Sequence, residues 1–147
     1  MYMTNILTIL TWFTSKKAYL APYAEDEDVQ KIAKKLWNSV DGNDWIPFVI
    51  MFVFTIAICW YYYFPFNNKP GRHYHPKYWG WFGFGSIVLT FFMTIGCFYF
   101  MAKSPGFNIM LLIKAAVVNT LYAAMLYIGF SYFINKTGKS NAYPFPF

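Results

Sequence analysis

The sequence predicts an all-α integral membrane protein, with three transmembrane helices preceded by a short interfacial helix and an amphipathic helix. Three observations carry that expectation. Hydrophobic residues make up 58% of the 147 positions, aromatics 24% and charged residues only 12%, whereas about 25% of an ordinary globular chain is charged. A soluble fold of this length cannot hide so much apolar surface, so lipid must be the solvent for much of it. Next, three long apolar runs follow residue 44. Finally, all six acidic residues (Glu25, Asp26, Glu27, Asp28, Asp41 and Asp44) lie in the first 44 positions. Beyond them the only fixed side-chain charges are Lys69, Arg72, Lys77, Lys103, Lys114, Lys136 and Lys139.

The first unit covers residues 1–44. Residues 2–14 are apolar, but a helix over them is ~20 Å long, too short for a ~30 Å hydrocarbon core. They read as an interfacial or re-entrant helix anchored by Trp12, Lys16 and Lys17. No basic segment precedes this run, so it is expected to stay in the mature protein rather than act as a cleaved signal. Residues 25–40 then carry Val29, Ile32, Ala33, Leu36, Trp37 and Val40 at three- and four-residue steps. That spacing is one apolar stripe on an amphipathic helix. Acids at 25–28 suit the positive N-terminal end of the helix dipole, and Lys31, Lys34 and Lys35 follow. Asp41 and Gly42 supply a stop, and the default place for the stripe is the membrane surface.

The second unit, residues 45–135, is a three-helix transmembrane bundle with spans over about 45–66, 82–102 and 107–134. Asp44 offers an N-cap to the first span, Pro47 is tolerable in its first turn, and Trp60 to Tyr63 form an interfacial belt. Lys103 to Gly106 allow only a tight hairpin between the last two spans. Residues 136–147 read as an extended aromatic tail, ending Tyr143-Pro-Phe-Pro-Phe147. Three spans put the termini on opposite sides of the bilayer. Lysines and arginines divide almost evenly between the sides, so the positive-inside rule leaves orientation open. Keeping the charged amphipathic segment untranslocated favours a cytoplasmic N-terminus.

Several side chains stand out inside the spans. Ser86, Thr90, Thr94 and Cys97 share one face of the second span. Ala115, Asn119 and Ala123 repeat at four-residue steps in the third, with Ala116, Thr120 and Ala124 beside them. Small and hydroxylated residues at such steps let helices approach closely and hydrogen-bond; in an oligomer they can instead line a narrow aqueous path. Lys114 lies within the third span, where it either snorkels to phosphates or needs a partner subunit's carboxylate, a bound anion or a water-filled lumen. In the loop joining the first two spans and at the entry to the second, Arg72, His73, Lys77, Trp79 and Trp81 read as a headgroup anchor.

The same residues exclude several chemistries. No carboxylate is available in the spans for proton relays or acid-bound metals. Cys59 and Cys97 form no ligand pattern, and His73 and His75 lack acid or thiol neighbours. No nucleophile–base pair or phosphate loop appears, so no enzyme activity, metal or cofactor is expected. The net charge of +6 is scattered beside apolar segments, which suits anionic lipid headgroups and not nucleic acid. The expected function is therefore a structural or assembly subunit of a larger membrane complex, the expected partners being lipid and other membrane subunits. A homo-oligomeric, holin-like pore is the alternative. Localisation is expected in a membrane, the bacterial inner membrane first and an organellar inner membrane second.

Overall fold

The computed structural model describes residues 16–43, 45–70, 76–102 and 109–137. Every element among them is helical. A short helix α1 (Lys16–Leu20) runs through a 3-10 turn (Ala21–Tyr23) toward α2 (Glu27–Asn43). Three longer helices follow: α3 (Trp45–Tyr61), extended by a π-helical turn over Tyr62–Phe66, then α4 (Pro76–Ala102) and α5 (Ile109–Lys136). Stretches Trp45–Phe66, Lys77–Phe100 and Ile109–Lys136 are each long and apolar enough to cross a membrane. The chain thus has the make-up of a multi-pass membrane protein. The expected helix over residues 2–14, the hairpin at 103–106, the Asp44 cap and most of the C-terminal tail fall outside the described residues.

α2 starts two residues later than expected because Asp26 caps it. Its Oδ1 accepts hydrogen bonds from the backbone N–H groups of Asp28 (3.0 Å) and Val29 (3.2 Å). Those are donors that a helix start otherwise leaves orphaned. The helix also runs through Asp41 and Gly42 to Asn43, so the expected stop there is passed. Asn43 returns its side-chain amide to the Ser39 carbonyl at 3.0 Å. Part of the helix's apolar stripe turns into the bundle, while Val29 stays exposed. Ala33, Leu36 and Trp37 are buried with Tyr19 against Phe98, Leu111, Leu112 and Ala115 at one end of the bundle. Lys16 Nζ ties α1 to α2 through Asn38 Oδ1 at 2.8 Å.

α4 begins at Pro76, earlier than the expected start near Phe82. Proline suits a first helical turn, since its fixed φ is helical and its missing N–H is not needed there. Hydropathy alone misses this turn because Lys77 and the polar loop dilute it. At the end of α3, Pro65 lies inside the helix and cannot donate to the ladder. The chain widens into a π turn there, and the Asn67 side-chain amide donates to the Tyr62 carbonyl.

The three long helices pack on rows of every fourth residue. α3 buries Pro47, Met51, Thr55 and Cys59. α4 buries Ser86, Thr90, Thr94 and Phe98. α5 buries Ala115, Asn119, Ala123, Tyr127 and Ser131. A four-residue step advances ~40° round a helix of 3.6 residues per turn, so each row winds round its helix. Large apolar side chains such as Phe92, Phe100, Leu121, Met125 and Phe133 remain outside. That inversion, small and polar inside with large and apolar outside, suits a bundle in lipid.

Candidate functional site

The buried rows bring the polar residues of the spans onto one seam along the bundle. Nearest the α2 end, Asn119 Nδ2 donates to Thr94 Oγ1 at 3.2 Å, joining α5 to α4. Further along, Thr55 Oγ1 and Ser86 Oγ are 3.3 Å apart, joining α3 to α4. Between these bonds Thr90, 3% exposed, lines a crevice of about 10 Å³ with Pro47, Met51 and Thr94. That is room for about one water molecule. At the far end Ser131 accepts a hydrogen bond from Trp79 Nε1 (3.0 Å) and lies 3.9 Å from Cys59 Sγ.

Tyr127 completes that far end. Its hydroxyl donates to the Trp79 carbonyl at 3.0 Å, crossing from α5 to α4. The ring lies so close to α4 that a Cβ on Gly83 would stand 3.0 Å from Tyr127 Cε1. Glycine is needed here for its missing side chain, which lets an aromatic ring approach the helix. Tyr62 and Tyr63 pack edge to face at 4.8 Å, and Phe66 packs on Tyr78 and Phe82. Together with Cys59 and Tyr127 they form one buried aromatic cluster.

Of the residues singled out from sequence, Ser86, Thr90, Thr94, Ala115, Asn119 and Ala123 are all buried within one copy of the chain. Cys97 is only half-buried and stands at the edge of this face. Thr120 turns its hydroxyl back on its own helix, donating to the Ala116 carbonyl at 2.6 Å. Lys114 is half-buried near the start of α5, beside the Ala115 that packs beneath α2. The proposed headgroup anchor divides. Lys77 and Trp81 are exposed, Trp79 turns inward to Ser131, and Arg72 and His73 lie outside the described residues.

Sequence reasoning missed Thr55, Tyr127 and Ser131, and read Cys59 only as lacking a ligand pattern. The signal was present for all of them. The four-residue step of Ala115, Asn119 and Ala123 continues unbroken to Tyr127 and Ser131. Thr55 and Cys59 likewise share a four-residue step with Met51. A tyrosine in such a row looks too large for a close helix contact until Gly83 is found opposite it.

Chemically, the seam offers hydroxyl, amide, thiol and indole groups. It holds no carboxylate, amine or imidazole. Among the described residues no three His, Cys, Asp or Glu side chains gather into a metal site. What such a set does well is join helices where apolar surroundings make an unsatisfied polar group costly. Interhelical bonds of this kind contribute about 0.6 kcal/mol each, and at most ~1.7. No protein-family model matches the chain, and no curated protein or solved structure is detectably similar to it.

Proposed function

We propose that the chain is a non-enzymatic membrane protein that works as a structural or assembly subunit of a larger membrane complex. The observation that carries this reading is the closure of the polar seam inside a single copy. Thr55, Ser86, Thr90, Thr94, Asn119 and Ser131 are each at most 9% exposed. The outward surface is therefore apolar, and it suits either lipid or the helices of other subunits.

One outward feature fits a neighbouring helix. Gly129 has open space where a Cβ would sit, and Met125, Leu126, Phe130 and Phe133 surround it in a recess of about 340 Å³. A side chain from another span can enter there as a knob enters a hole. The homo-oligomeric pore is the weaker reading, since the hydroxyl face can line a path only if the three helices separate. The membrane we infer is a bacterial inner membrane, with an organellar inner membrane second, because outer membranes of bacteria take β-barrels.

Extraction of the tagged full chain in mild detergent, followed by native mass measurement, tests the subunit reading. Stoichiometric partners are expected, and Gly129→Leu should reduce their recovery. A homogeneous monomer with no partner overturns the reading. Planar-bilayer currents that change with Thr90→Val and Lys114→Ala would replace it with the pore.

A further inference from the structure

The two ends of the bundle differ in charge. The described acids lie in α2 and the two residues before it, and α2 packs beside Phe98, Leu111 and Leu112, at the end where α4 finishes and α5 begins. At the opposite end Lys69, Lys77 and Lys136 are exposed. The sequence has no Asp or Glu after position 44, so its spans and the connections between them bring no carboxylate to this end.

Lys77 stands in the first turn of α4 at the edge of the apolar stretch. Gly80, Trp81 and Phe84 follow at steps that share its helix face. Apart from its chain neighbours and its own helix backbone, no heavy atom comes within 4 Å of a Cβ built on Gly80. Trp81 is 68% exposed and Phe84 57%. Their rings meet edge to face at 6.2 Å and form one wall. The result is a shallow, open recess lined by Lys77, Gly80, Trp81 and Phe84, apolar except for the ammonium. The ammonium is held 5.2 Å from the Tyr78 ring centroid.

We propose that this recess seats a phospholipid with an anionic headgroup. Its phosphate meets Lys77 Nζ, and the upper part of one acyl chain lies over Gly80 against Trp81 and Phe84. Two features point to that occupant. From Lys77 to Phe84 the face runs ~10 Å along the helix, enough for a glycerol backbone and the first methylenes. A second copy of this chain would bring no acid from its spans to neutralise Lys77. An anionic lipid supplies both the negative charge and the apolar chain. This seat is independent of the subunit reading, because a monomer would bind the lipid equally well.

Tryptophan quenching of the full chain in nanodiscs containing brominated lipids tests it, with Trp81→Phe used to isolate the Trp81 signal. Brominated phosphatidylglycerol is expected to reach half-quenching at about a fivefold lower mole fraction than brominated phosphatidylcholine, the effect of roughly one surface lysine. Lys77→Gln should abolish that preference while leaving quenching itself. Gly80→Leu, which has open space to occupy, should weaken quenching by both lipids. Equal quenching by the two lipids in the native chain overturns the proposal, as does a preference that survives Lys77→Gln. Absence of Trp81 quenching by either lipid overturns it too, and assigns the face to a protein partner or a second copy.

Discussion

The two ends of the bundle are held together by different physics. At the α2 end, Leu36, Trp37, Phe98, Leu111 and Leu112 meet through apolar area, with Tyr19 packed on Trp37 at 5.2 Å. At the far end the buried aromatics carry polar tips. Trp79, Tyr127 and Ser131 meet through hydrogen bonds of 3.0 Å between α4 and α5. The contrast follows from the solvent each end meets. α2 has a charged outer face, with Lys31, Lys34 and Lys35 exposed, so water can drive its apolar stripe inward. Between spans in lipid that drive is missing, and close approach and hydrogen bonds take over. A single chain therefore closes one end mainly by area and the other by an aromatic cluster tied with directed hydrogen bonds.

Substitutions can break either end separately. Leu36→Ala should have the largest effect, about 2–5 kcal/mol, because Leu36 is fully buried where α2 packs on the bundle. Limited trypsin digestion at Lys31, Lys34 and Lys35 should accelerate while the far end keeps its Trp79 environment. Unchanged cleavage would mean that α2 is not held by this packing. Gly83→Leu attacks the other end by forcing a side chain into the Tyr127 ring, at about 1–3 kcal/mol. Detergent unfolding should shift for this variant, with α2 cleavage unaltered.

Smaller effects sharpen the contrast. Asp26→Ala removes the α2 cap and should cost about 1 kcal/mol, read as a modest increase in the same trypsin cleavage. Thr94→Val and Asn119→Leu each remove one partner of the same interhelical bond, and the coupling between them should be about 0.6 kcal/mol. Their double variant should cost less than the sum, because both remove the same contact. Strict additivity in that cycle would show that the 3.2 Å contact contributes nothing to stability.

The helices themselves were largely legible. The apolar runs and the three- and four-residue steps of Val29 to Val40 are local signals, and they place three long apolar helices and α2. The buried stripes on α4 and α5 were also visible as rows of small residues. Their pairing was not. Nothing in the spacing of Ser86 says that it meets Thr55, or that Asn119 meets Thr94 and not a residue of another subunit. Trp79 shows the limit most clearly. A tryptophan beside a lysine at a span edge has the pattern of a headgroup anchor, yet its indole points to Ser131.

By itself, the sequence determined the all-helical class, the three apolar stretches of membrane-crossing length and the confinement of acids to the first 44 residues. These follow from hydropathy, helical period and charge, all properties of one segment at a time. Only the tertiary structure decided that the hydroxyl faces turn toward their own chain, that Gly83 receives Tyr127 and that α2 closes on the bundle. Those outcomes depend on how each helix is rotated and crossed against its neighbours. A small polar residue suits a contact within the chain, between subunits or along a lumen equally well. The choice among them is made by shape across the contact, which no single helix contains.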